Sequence, residues 1–154
     1  MNVFTDFSLQ DEDGYLRQSN EFHPGLFVWL RQLGCRYARK QVAQLRKLEI
    51  LPPVSLVLIS PSAPPQARPL RRTYLKGLRC ALLSDTQLKT FGNNRQEKPP
   101  FWSFLDQQLG DPLQNGRIQL TRSNGQIQYQ FEAHKAGQQP NTAEFQRAVR
   151  MLRL

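Results

Sequence analysis

Two runs have no polar break: LFVWL over Leu26–Leu30 and VSLVLIS over Val54–Ser60. A strand with one wet face alternates apolar and polar residues. A run without alternation needs cover on both faces, as in the middle of a parallel sheet. Between the runs, the stretch from Gly34 to about Leu48 reads as a helix. Ala38, Val42 and Leu45 fall on one stripe, while Arg36, Arg39, Lys40, Arg46 and Lys47 lie mostly off it. Strand, crossover helix, strand predicts two adjacent parallel strands.

The flanking sequence adds to both sides of this unit. Phe7 and Leu9, the Asp13-Gly14 turn, then Tyr15 and Leu16 read as a small hairpin, and His23-Pro24-Gly25 breaks it. Pro52-Pro53 ends the first helix. A second helix enters through Pro64-Pro65, with its regular part restarting near Pro69, because an interior proline costs about 3 kcal/mol. CALLS (80–84) is a short strand. Asp85 can cap a helix that Gly92 ends, and PPFWSFLDQQLG (99–110) is a further amphipathic helix, with Phe101, Trp102, Phe104 and Leu105 as core. RIQLTRSNGQIQYQFE is a hairpin turning at Ser123-Asn124-Gly125, and Asn141 with Glu144 is a capping box for a last helix. The fold class is α/β: one domain over 1–154, a central mixed β-sheet flanked by helices on both faces, with an N-terminal β-hairpin. The 154 residues suffice for one core.

The formal net charge is +9, from 21 Lys and Arg against 12 Asp and Glu. The arginines read as spread along the chain, with a small cluster at Arg68, Arg71 and Arg72. No aromatic-basic interleaving and no nucleic-acid motif is present, so a solvated basic surface is expected and nucleic acid is not. No stretch nears about 20 apolar residues, so no membrane span is expected. The Met1 end shows no basic segment followed by an apolar run, so no signal peptide is expected. Two cysteines make no disulfide framework, which points to a reducing cytoplasm. His23 and His134 stand in no zinc spacing with cysteine, and there is no Gly-rich phosphate loop, so neither metal nor cofactor is expected. His134 reads as a loop residue and Trp29 as strand core.

Cys35 is the residue with a choice of roles. A free cysteine is ordinarily a small core hydrophobe. At the start of a helix, with Arg31, Arg36, Arg39 and Lys40 close in sequence, the helix dipole and positive charge favour the thiolate, the reactive form.

Five segments, taken in order, resemble the peroxiredoxin-like AhpC/TSA family, the branch related to the SelL proteins, within the thioredoxin-fold superfamily. They are FSLQDEDG, LFVWLRQLGCRYARKQVAQLRK, VSLVLISPSAPPQA, LLSD and GDPLQNGRIQLTRSNGQIQYQFEAHKAGQQP. The resemblance implies a thiol-dependent oxidoreductase with Cys35 as nucleophile and a hydroperoxide or disulfide as substrate. It implies an external thioredoxin- or glutathione-like thiol as reductant, and a homodimer is compatible with it. Gly34, Arg36, Tyr37, Ala38 and Gly116 would line the site. Arg117 stands close to an arginine that helps activate the thiol, and Gly116 stands, to within a residue, where thioredoxins place a cis-proline. The pattern also departs from the family. Ala38 replaces the second cysteine of a Cys-x-x-Cys pair, and Val28 and Gln32 replace the proline and the Thr/Ser that precede a peroxidatic cysteine. With alanine rather than cysteine at position 38, resolution falls to Cys80, whose plainer reading is a packed strand residue, or to another thiol. The departures also fit a catalytically impaired thioredoxin-fold module that binds a protein or an acidic partner.

Overall fold

The computed structural model describes residues 3–30, 36–48, 50, 52–86, 90, 116–132 and 141–152. Its strands are β1 (Ser8–Asp11), β2 (Leu16–Gln18), β3 (Gly25–Trp29), β4 (Ser55–Ser60), β5 (Ala81–Ser84), β6 (Arg117–Thr121) and β7 (Ile127–Glu132). Its α-helices are α1 (Arg36–Lys47), α2 (Pro64–Thr73) and α3 (Thr142–Leu152). The strands form one mixed sheet in the order β2-β1-β5-β4-β3-β6-β7.

The two unbroken apolar runs pair as expected. β3 and β4 are parallel, with Phe27 opposite Val57 and Trp29 opposite Ile59. β5 continues the parallel set beside β4, and β6 closes the other side of β3 antiparallel. The period-two geometry of β3 sorts its side chains into two cores. Leu26, Val28 and Leu30 join Val42 and Leu45 of α1, Ala67 of α2, and Phe145, Ala148 and Val149 of α3. Phe27 and Trp29 join Val57, Ile59 and Leu83 on the other face, which Phe4, Leu9 and Phe22 help to cover. Each fully buried Leu or Phe contributes about 1.5–3 kcal/mol. The helices expected over 86–92 and 99–110 lie outside the described residues.

The local signals hold where they are described. The first hairpin turns through Gly14 at φ +86° and the second through Gly125 at φ +83°, a backbone region that glycine enters freely. Asn141 Oδ1 accepts from the N–H groups of Ala143 (3.0 Å) and Glu144 (3.2 Å), capping α3. One expectation is corrected: α2 does not restart at Pro69 but runs unbroken through it. Pro69 takes the partner of the Pro65 carbonyl away, and both residues are exposed, so water can replace the lost bond.

At the start of β3 the chain is held tightly. Thr121 Oγ1 accepts from the Gly25 N–H (3.1 Å) and lies 2.7 Å from His23 Nδ1. A Cβ on Gly25 would run into the Phe22 carbonyl oxygen and come within 2.9 Å of the Phe27 ring. Gly25→Ala is therefore expected to destabilise the protein by about 1–3 kcal/mol, read from the urea unfolding midpoint. Burial lowers the His23 pKa, and Asp6 only partly offsets this. The unfolded chain thus binds the proton first as pH falls through about 6.5. In a His134→Ala background, stability should decline from pH 7.5 to 5.5, and His23→Phe should remove that slope.

Candidate functional site

The parallel strands β3, β4 and β5 end together, and open α/β sheets bind ligands at that end. Leu30 N–H still donates to Ile59 O (2.8 Å), and Asp85 N–H to Ser60 O (2.8 Å), so the sheet stays paired to its rim. β6 begins at the same level, with Arg117 opposite Trp29.

Trp29 is buried, and its indole N–H needs an acceptor. It donates to Thr90 Oγ1 (2.9 Å). Thr90 in turn donates through its hydroxyl (2.6 Å) and its N–H (2.7 Å) to Asp85 Oδ2. The Arg117 guanidinium lies 4.2 Å over the Trp29 ring and donates to the Thr90 carbonyl. Glu132 on β7 offers a carboxylate oxygen 4.0 Å away. Burial lowers the Arg117 pKa and Glu132 counters this, but an arginine stays charged at any ordinary pH. A cation is thus held at the rim with one weak ion pair. Its Nε–H has no hydrogen-bond partner, and the Ser84 hydroxyl, at the end of β5 on the far side of β3 and β4, has none either. Buried, incompletely satisfied polar groups of this kind gather at functional sites.

Gly116 sits between β3 and α1. A Cβ there would stand 3.2 Å from the Trp29 carbonyl oxygen and 3.6 Å from Gln41 Oε1 on α1. Arg36, Tyr37 and Ala38 form the first turn of α1, which holds no acidic residue. Gly34 and Cys35 precede them in the sequence and, like His134, lie outside the described residues.

Cys80 stands elsewhere. Ala81 is level with Val57 and Phe27, so Cys80 lies at the end where the parallel strands begin, away from Trp29 and Arg117. Arg71 Nη2 donates to the Cys80 carbonyl (2.9 Å), Nη1 lies 3.8 Å from its sulfur, and Nε bridges to Glu12 (2.5 Å). Burial raises the Cys80 pKa, more than Arg71 lowers it. The thiol lines an open cleft of about 550 Å³ with Phe22, Pro53, Leu56 and Arg79.

Sequence reasoning singled out the adjacent Gly116 and Arg117, which the β3–β6 pairing sets against Trp29. It missed Thr90, Asp85 and Glu132 as their companions and read Trp29 as core alone. The available signal was a tryptophan within an apolar run, since its N–H must find a partner. Among the described residues, no three of His, Cys, Asp and Glu group as a metal site, and no helix is long and apolar enough to cross a membrane.

No protein-family model and no curated protein matches the chain. Solved structures do. The chain is similar to a peroxiredoxin-like protein from Aquifex aeolicus, with TM-score 0.77 and 10% identity over 98% of this chain and 85% of that one. It is similar to a thiol peroxidase from Chromobacterium violaceum, with TM-score 0.69 and 13% identity over 99% and 87%. It is also similar to the peroxidoxin BcpB from Mycobacterium tuberculosis, with TM-score 0.68 and 17% identity over 99% and 94%. The fold is therefore the thioredoxin-like fold in its peroxiredoxin-like form.

The Cys80 geometry makes a checkable statement. In a Cys35→Ser variant, iodoacetamide should label Cys80 with a pH midpoint above that of free cysteine. Arg71→Met should move the midpoint higher, because the lowering influence of the guanidinium is lost.

Proposed function

We propose that residues 1–154 act as one thiol-dependent peroxidase domain, with Cys35 as nucleophile, a hydroperoxide as oxidant and an external thiol as reductant. The observation that carries this reading is the half-buried Arg117 cation at the rim. It sits on the strand beside β3, and Cys35 lies in the sequence between β3 and α1. An α1 that starts without an acidic residue leaves the positive end of its dipole to stabilise a thiolate. Arg117, kept short of partners, has N–H groups to offer a peroxide oxygen.

The Cys35 thiolate attacks the nearer peroxide oxygen. The S–O bond forms and the O–O bond breaks. The leaving alkoxide or hydroxide takes a proton, and Cys35 becomes a sulfenic acid. An external thiol condenses with it, releasing water and leaving a mixed disulfide. A second thiol then frees Cys35 and leaves as the oxidised disulfide. Cys80, protonated and at the far end of the strands, is not needed in this cycle. The basic charge and the alanine at position 38 support the alternative, a binding module without turnover.

Peroxide consumption in the presence of dithiothreitol decides between them. The wild-type protein should consume hydrogen peroxide or a small alkyl hydroperoxide, and dimedone should label Cys35. Cys35→Ser should fall to background. Arg117→Met should slow sulfenate formation roughly 10- to 100-fold, the worth of one charge-assisted hydrogen bond. Ala38→Cys should form a local disulfide after one equivalent of peroxide, whereas the wild type should form no Cys35–Cys80 bridge by intact mass. Equal, negligible turnover of wild type and Cys35→Ser would falsify the peroxidase reading and leave the binding module.

A further inference from the structure

The positive charge is not spread evenly. Residues 36–48 and 64–80 hold ten of the 21 Lys and Arg residues and none of the 12 Asp and Glu residues. The remainder carries eleven basic residues against twelve acidic ones and is nearly neutral. The two segments are α1 with its final turn and α2 with the loop to β5, both contributing to the same core. Side chains tie them into one surface. Arg39 stacks 4.3 Å over Tyr74 and donates to its hydroxyl. Arg46 donates to the carbonyls of Tyr74 (2.5 Å) and Lys76 (2.8 Å). Lys40, Lys47, Arg72, Lys76 and Arg79 are all exposed.

Helix dipoles account for part of this. Arg46, Lys47, Arg71 and Arg72 lie in last turns, where cations are favoured. Arg68 and Arg71 also meet Asp13 (3.4 Å) and Glu12 (2.5 Å). Lys40, Lys76 and Arg79 have neither explanation, and like charges at this density repel.

We propose that the α1/α2 face docks the phosphate backbone of nucleic acid without reading its sequence. The sequence alone gave no motif for this, because the signal is the gathering of separate segments by the fold. The character of the surface selects a polyphosphate over an acidic protein. Among the described residues, the large apolar residues that stand exposed, Val3, Tyr15, Leu16 and Met151, all belong to other elements. A protein partner needs an apolar centre inside a polar rim. A phosphate backbone binds through charge and counterion release alone. Arg117 and Trp29 belong to the opposite face of the sheet, so the proposal does not rest on the redox reading.

Fluorescence anisotropy of a labelled duplex of about 20 base pairs, titrated with the full chain, tests it. With about six phosphates neutralised, affinity should fall roughly a thousandfold between 50 and 200 mM salt, and scrambled duplexes should bind alike. Lys47→Gln, Arg72→Gln and Lys76→Gln together should weaken binding at least tenfold and flatten the salt slope by about 3. Arg122→Gln, Arg147→Gln and Arg150→Gln together, exposed residues in the β6–β7 turn and on α3 rather than on α1 or α2, should change affinity less than about threefold. Should the first triple variant unfold, Lys76→Gln alone should flatten the slope by about 1. Equal losses in the two triple variants, or no duplex binding by the wild type at 50 mM salt, would overturn the proposal. So would tighter binding of poly-glutamate, which favours an acidic protein, or of phosphatidylserine vesicles, which favours a membrane surface.

Discussion

The structure depends on closing β3 on four sides at once. Its backbone is paired with β4 on one edge and β6 on the other, and its side chains are buried on both faces. A strand in that position has no water to satisfy its N–H and C=O groups, so both neighbours must be in register along its length. That requirement fixes the order of the inner strands. It also places the exit of β3 beside the first residue of β6, which is how a charged Arg117 comes to lie on the Trp29 ring. An arginine over an aromatic face gains about 0.5–2 kcal/mol, depending on how dry the pair is, which helps to keep a cation at the edge of the core.

The two ends of the sheet carry different chemistry. At the end where the parallel strands finish, polar groups are buried with less than their full complement of bonds. At the other end, the Arg71 guanidinium uses its donors on Glu12 and Cys80, and the thiol beside it is held in its neutral form. The first arrangement has donors to spare for a ligand. The second is a structural latch that fastens the β1–β2 turn to α2 and to the start of β5.

Much of the fold was legible because its determinants are local or periodic. Unbroken apolar runs gave β3 and β4, the Asp13-Gly14 and Asn124-Gly125 turns gave the two hairpins, and Asn141 gave the start of α3. The family resemblance named Arg117 and Gly116, and the fold sets Arg117 over the Trp29 ring. Their surroundings were not legible. The Trp29–Thr90 bond spans 61 positions and the Arg71–Glu12 pair 59, and neither leaves a pattern along the chain. Pro69 was misjudged because propensity sees the missing N–H but not the solvent that stands in for it. The charge count was plain from the start. Its concentration on one face required knowing that α1 and the loop after α2 touch.

The position of β3 has a consequence for synthesis. Its partners arrive in a strict order: β4 about thirty residues later, and β6 about ninety residues later. A ribosome adds roughly 5–20 residues per second, so one edge of the most apolar strand stays open for several seconds or more after the strand emerges. A half-built sheet with an open apolar edge is a template for pairing with another chain. The last hairpin and α3 are thus more than a final layer: until they arrive, the nascent chain is vulnerable to aggregation, and the same contacts of long sequence separation make folding slow for its size.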